Sequence, residues 1–271
     1  MTDPALSERG LTTSAPPSWS GLEPVRELLE RAAGQYPKHP ALRFCGRLTT
    51  YSEWNAKVEE AAGVLRRMGA GPGVQLALLL PTCPAIPTYI FAAFSVGSSV
   101  VALDPEAPEG ELDACVRAAG VTILISCDVA AFQTKALNLT QRTGIPTLML
   151  VAYAAMLPAA SAARVLSLGR TLARPTPAAG PRVLFERTLL RDKATEAVVQ
   201  SGPTPRAALP SDTAFIVWVN ERGVGRPIEL SHASLARNLA QLCRSFAKVG
   251  NASWRPCPGG TPSPSCWLAW R

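Results

Sequence analysis

The sequence predicts an α/β fold in which a mostly parallel sheet is flanked by helices. Three observations point to it. Apolar runs of strand length alternate with helix-length segments from Val74 to Val151. The repeat is about 25 residues per strand and helix, the spacing of a crossover unit. The strands are apolar on both faces, as a sheet covered by helices on each side requires. Right-handed βαβ crossovers follow from that alternation.

Each element can be placed in order. Leu22, Val25, Leu28, Leu29 and Ala32 fall on one helix face, and Gly34 ends that pattern before a proline-containing turn at Tyr36–Pro40. Ala41–Phe44 and Arg47–Thr49 read as a short hairpin around Gly46. Thr50 and Glu53 have capping-box spacing and open a second helix, with Trp54, Val58, Ala61, Ala62 and Leu65 on its buried face. Val74–Leu80 is then strand, Ile86–Val96 helix, Ser99–Leu103 strand, Glu109–Ala119 helix and Val121–Ser126 strand. Asp128 is placed to cap a helix running to Leu139, and Thr147–Val151 is the next strand. From Ala152 to Pro210 the rhythm is lost. That segment reads as a connecting region containing one apolar helix around Met156–Leu168. Thr213–Val219 restores a strand, and Ser231 caps a helix to about Lys248 with Leu235, Leu239 and Leu242 on one face.

Composition sets limits on function. The 271 residues are 47% hydrophobic, which excludes a disordered or collagen-like chain, and 25 prolines with 20 glycines exclude a long coiled coil. Net charge is +7, but the arginines are scattered and no run of five basic residues occurs, so no nucleic-acid partner is expected. The seven cysteines include no CxxC pair, and most sit in apolar runs, which fits a reducing, cytoplasmic setting, with peripheral membrane attachment as an alternative. His39 and His232 are the two histidines, far apart and without a cysteine cluster, so no metal site is expected from the ligand set.

Residues 1–20 carry Asp3, Glu8 and Arg9 and no apolar core of a secretory signal, and they read as a disordered tail. Uncharged stretches between Arg67 and Asp104 and from Thr143 to Ala163 are long enough to raise a membrane-protein alternative. Gly69, Gly71, Pro72, Gly73, Pro81, Pro84 and Pro87 cut the first into strand and helix lengths, so no transmembrane segment is expected. A folded domain is therefore expected over 21–250. Residues 251–271 contain Pro256, Pro258, Pro262 and Pro264 and three tryptophans without helical or strand period, and read as a non-native tail produced by a shift of the coding frame after about Gly250.

The chemical question lies between the last strand and the last helix. A phosphate-binding loop needs glycines so that backbone N–H groups can converge on oxygens, hydroxyls as further donors, and a cation. Val219–Leu230 reads VNERGVGRPIEL, with Gly223, Gly225, Arg226 and Pro227 in that position. It lacks Ser, Thr and Lys, and Glu221 would set a negative charge beside any triphosphate. An ordinary strand-to-helix turn explains the same residues. Gly71 and Gly73 precede a strand, the wrong order for a dinucleotide fingerprint, and His232 at the helix start has no carboxylate placed in sequence to orient it, which favours a capping or packing role.

The strings LTTYSEWNAKVEEAAGVLRRMGAGPGVQLALLLPT and IFAAFSVGSSVVALDP resemble the N-terminal signature of the acyl-adenylate-forming, AMP-binding enzymes, in particular bacterial long-chain fatty-acid CoA ligases. The resemblance runs from about Leu22 to Leu242, and IVWVNERGVGRPIELSHASLARNLAQ falls where that family carries its Thr-Ser/Gly-Gly-Thr-Thr-Gly-x-Pro-Lys-Gly loop and Leu-Thr-His helix start. It implies a two-step ligase: ATP and a carboxylate give an acyl-adenylate and pyrophosphate, and coenzyme A then displaces AMP. It further implies Mg2+ as the ion that neutralises phosphate charge, small-molecule partners, and Gly223, Gly225, Arg226 and Pro227 as remains of the phosphate loop.

The departures shape the expectation. The loop has lost its hydroxyls and its Lys, and Val74-Gln75 replaces the family's Asp-basic pair after Gly73. No Tyr-Gly-x-Thr-Glu motif and no ribose-binding Asp motif is found. The chain is read as a truncated ligase with little or no adenylation activity alone, since loss of the phosphate donors and of the adenine pocket each removes about 2 kcal/mol or more of transition-state stabilisation. A non-catalytic interaction module is the alternative from another class. Acyl specificity and oligomeric state are not legible.

Overall fold

The computed structural model describes residues 24–159, 161–163, 180–191, 208–221 and 224–249. The chain enters through helix α1 (Val25–Gln35) and a two-stranded hairpin, β1 (Pro40–Phe44) and β2 (Arg47–Thr50). Cys45 and Gly46 turn that hairpin with φ of 49° and 83°. Two consecutive positive φ values match the right-handed twist of paired strands, and only the second falls on a glycine. Helix α2 (Tyr51–Arg67) follows at once. Its first turn is closed by the expected capping box: the Glu53 N–H donates to Thr50 Oγ1 at 3.3 Å, and the Thr50 N–H donates to Glu53 Oε2 at 2.8 Å.

The sheet is then laid down by crossovers: β3 (Gln75–Leu78), α3 (Ala85–Val96), β4 (Ser99–Ala102), α4 (Glu109–Ala118), β5 (Val121–Cys127), α5 (Ala130–Thr143) and β6 (Thr147–Val151). A 3-10 turn, Tyr153–Met156, leaves β6. Strand β7 (Arg182–Phe185) and helix α6 (Glu186–Arg191) come next, then β8 (Thr213–Glu221), β9 (Val224–Ser231) and α7 (His232–Val249). Strands β3 to β9 form a seven-stranded sheet in the order β7-β6-β5-β3-β4-β8-β9, parallel except for β9, which runs antiparallel to β8.

Alternation along the central strands divides the core in two. Leu76, Leu78 and Leu80 face Val58, Leu65, Tyr89 and Phe94, on the side covered by α1, α2 and α3. Ala77 and Leu79 face Leu112, Val116, Ala136 and Leu139, on the side covered by α4 and α5. Fully burying one such leucine is worth about 1.5–3 kcal/mol, so both layers contribute to the fold. The doubly covered parallel sheet is the one expected from the sequence. The long uncharged stretch before Asp104 folds as β3, α3 and β4, and among the described residues no helix is long and apolar enough to cross a membrane.

Three expectations are corrected. Asp128 does not cap α5: the helix begins at Ala130 with Val129 at its N-cap, and the Asp128 Oδ1 instead accepts the Tyr153 N–H at 2.9 Å, satisfying the turn after β6. The region from Ala152 to Pro210 is not only a connection, because β7 extends the sheet beside β6 and α6 follows it. Of the segment expected as a strand-to-helix turn, Val219–Glu221 belong to β8 and Val224–Leu230 to β9. Of the apolar helix around Met156–Leu168, residues 160 and 164–168 lie outside the described residues, as do the tails 1–20 and 251–271.

Candidate functional site

In a parallel sheet, the chain leaves every strand at the same end, and ligands bind where neighbouring connections diverge. Here the chain passes from β3 through α3 to β4 on one side, and from β5 through α5 to β6 on the other. The divergence therefore lies between β3 and β5. Its floor is tied by backbone and side chain together: the Leu79 N–H donates to the Ile125 carbonyl at 2.9 Å, and Ser126 Oγ donates to the Leu79 carbonyl at 2.8 Å.

Around that end stand polar groups that sequence reasoning missed. The Tyr89 hydroxyl donates to Glu186 Oε1 at 2.6 Å, and Glu186 Oε2 accepts the Ala152 N–H at 3.3 Å. One carboxylate thus joins α3, the end of β6 and the start of α6. Burial, with Glu186 beside it, pushes the Tyr89 phenol well above its ordinary pKa, so it acts as a fixed donor and not as an acid at neutral pH. Glu186 directly follows β7, so a signal for it required recognising that four-residue strand. Cys127, read as core, ends β5 fully buried, and desolvation pushes its thiol up to about 12.

The glycine-containing segment lies farther along the sheet. Trp218, Val219, Asn220 and Glu221 on β8 pair with Pro227, Arg226, Gly225 and Val224 on β9. Gly225, Arg226 and Pro227 are therefore ladder residues. Gly223 lies outside the described residues. At the opposite end of the hairpin Thr213 pairs with Ser231, and α7 begins at His232. From Arg226 to His232 the strand spans about 20 Å, so the glycines and the helix N-terminus are not brought to one point. Ser231 does cap α7, accepting the Ser234 N–H at 3.2 Å. His232 packs, as expected, against a ring: its centroid is 4.5 Å from that of Phe94.

Gly225 has a steric reason to be glycine. A Cβ there would stand 2.7 Å from Trp218 Nε1, within the indole lying across the hairpin, and no side chain could be added without moving the ring. Trp218 and Gly225 are diagonal neighbours in the ladder, within reach of a large aromatic. Proline at 227 lies on β9, the outermost described strand, which is where a sheet tolerates proline. Among the described residues of this hairpin, Gly225 is covered by the indole and Pro227 has no N–H. Nor does any group of three or more His, Cys, Asp or Glu among the described residues converge as for a metal ion.

Residues 29–218 match the family of AMP-binding enzymes. The chain belongs to that family. Among curated relatives, Bacitracin synthase 1 of Bacillus licheniformis is 30% identical over 106 residues, 39% of this chain and 2% of the synthase. Among solved structures, the N-terminal subdomain of Klebsiella oxytoca NpsA in complex with 3-hydroxybenzoyl-AMSN has a TM-score of 0.52 at 21% identity, over 80% of this chain and 43% of that one. The nonribosomal peptide synthetase FmoA3, in its α-methyl-L-serine-AMP bound form, has a TM-score of 0.54 at 18% identity, over 83% of this chain and 20% of that one. This chain thus spans less than half the length of each. These structural likenesses show that the doubly covered sheet shares the fold of those structures.

Proposed function

We propose that the chain supplies the sheet scaffold of an enzyme that activates a carboxylic acid with ATP, giving an acyl-adenylate and pyrophosphate, and that alone it does not turn over. The family match over residues 29–218 carries the first part. The paired state of Gly225, Arg226 and Pro227 supports the second, because adenylation needs preorganised donors aimed at charge developing on the reacting phosphoryl group. ATP with Mg2+ would be the nucleotide substrate, and CoA the acceptor of the acyl group if the enzyme is a thioester-forming ligase.

Two classes of acid are distinguished by different observations. The strings at 48–82 and 90–105 support a long-chain fatty acid. The relatives support an amino or aryl acid, since FmoA3 was captured with α-methyl-L-serine-AMP and NpsA with 3-hydroxybenzoyl-AMSN. The test is pyrophosphate exchange by the purified chain with ATP, Mg2+ and separate panels of fatty, amino and aryl acids, beside calorimetry with ATP. No exchange in a folded sample is the expected result. Exchange above background with any acid would overturn the inactive reading and identify the acid class at once.

A further inference from the structure

His232 is the first residue of α7 and has 0% exposure. Its ring stands edge-on to Phe94 at an interplanar angle of 76°, and neither Nδ1 nor Nε2 has a hydrogen-bond partner. Phe94 is backed in turn by Phe215, with centroids 5.6 Å apart. The backbone around the imidazole is clasped: the His232 N–H donates to the Asp212 carbonyl at 3.1 Å and the Ala233 N–H to the Pro210 carbonyl at 2.8 Å. From this point α7 packs Leu235, Leu239 and the buried Ala236 and Ala240 inward.

We infer that His232 is a pH-sensitive latch, holding the start of α7 against Phe94 of α3 while neutral and releasing the helix when protonated. The imidazolium would carry two N–H donors into a buried site where neither nitrogen has a hydrogen-bond partner. It would also set a positive charge at the N-terminal end of an 18-residue helix, where the macrodipole opposes it. The surrounding charges do not rescue it. Helix α3 carries no charged residue. On α1, Arg26 is engaged by Glu59, Glu30 and Ser95. Arg226 and Glu229 on β9 and Arg237 on α7 are exposed. Asp212 alone favours the cation, and burial outweighs it, pulling the His232 pKa from 6.5 down to about 4.

The sign follows from linkage. The released helix binds a proton near pH 6.5 and the docked one near 4, so docking is at full strength above 6.5 and weakens as pH falls towards 4. At about pH 5 the docking equilibrium is about 30-fold weaker than at about pH 7.5. This inference is independent of nucleotide binding.

Hydrogen exchange on the full chain tests it, with rates corrected for the intrinsic pH dependence. Amides of α7 should lose about 30-fold in protection between those two pH values, and His232→Phe should abolish the loss. Constant protection of α7 between those two pH values, or an unchanged loss in His232→Phe, overturns the latch. Should that variant fail to fold, the imidazole titration of the native chain followed by NMR decides, since there are two histidines and His39 is exposed. Loss of α7 protection must then track the His232 resonance; protection that stays constant through its titration overturns the proposal.

Discussion

The indole of Trp218 lies across Gly225, the residue diagonal to it on the partner strand, and fills the space a side chain there would need. Overpacking of this kind typically costs about 1–3 kcal/mol. Gly225→Ala should lower the urea midpoint accordingly, and Trp218→Leu should recover part of the loss, so that the double variant is less destabilised than the sum. A Gly225→Ala protein with the native midpoint would mean that the indole stands elsewhere in solution.

The capping box at Thr50 and Glu53 gives a second prediction. Thr50→Ala should cost about 1 kcal/mol in thermal or urea unfolding. The bonds from Thr50 hold the Glu53 carboxyl below its ordinary pKa. The carboxylate's part in the cap is therefore present above the ordinary carboxylate range and lost as pH falls through the lowered value. The gap between native and variant should narrow in acid.

Thiol reactivity should separate the described cysteines sharply. Burial pushes Cys83 up, Cys115 to about 11 and Cys127 to about 12, whereas Cys45 is exposed at the tip of the first hairpin. Brief alkylation near neutral pH, mapped by mass spectrometry, should label Cys45 at least about tenfold faster than these three. Equal labelling without denaturant would contradict their burial.

Arg142 on α5 grips Asp113 on α4 through three hydrogen bonds of 3.0–3.1 Å, and also meets Glu109 at 3.1 Å. The forked geometry places this pair above ordinary surface ion pairs, at about 1 kcal/mol. Asp113→Asn should lose that amount at low salt and less at high salt. Arg142→Lys should also lose it, since an ammonium cannot span both carboxylate oxygens.

The central sheet was legible because Leu76–Leu80, Ile123–Cys127 and Leu148–Val151 are buried on both faces, and continuous apolar runs report that directly. Strand β7 was not, because Arg182–Phe185 is four residues long at the sheet margin, too short to display a period. The β9 strand was hidden by its own punctuation. Gly225 and Pro227 read as turn residues, yet one is required by Trp218 and the other is harmless on an outer strand. Asp128 illustrates a different limit: an acceptor ahead of a helix looks like a cap in sequence, and only the fold brings the Tyr153 N–H to compete for it.

The two-layered core has a consequence for how this chain tolerates change. Along β3 and the residue after it, successive side chains serve different rooms: Leu76 and Leu78 belong to one, Ala77 and Leu79 to the other. The sheet acts as a party wall. Cavities opened on opposite sides of it share no lining, so their costs should simply add, while those opened on one side should interact. Inserting or deleting one residue in such a strand is a different kind of injury. It would turn both rooms inside out at once, exchanging leucine for alanine across the wall, and no repacking within either room alone could mend it.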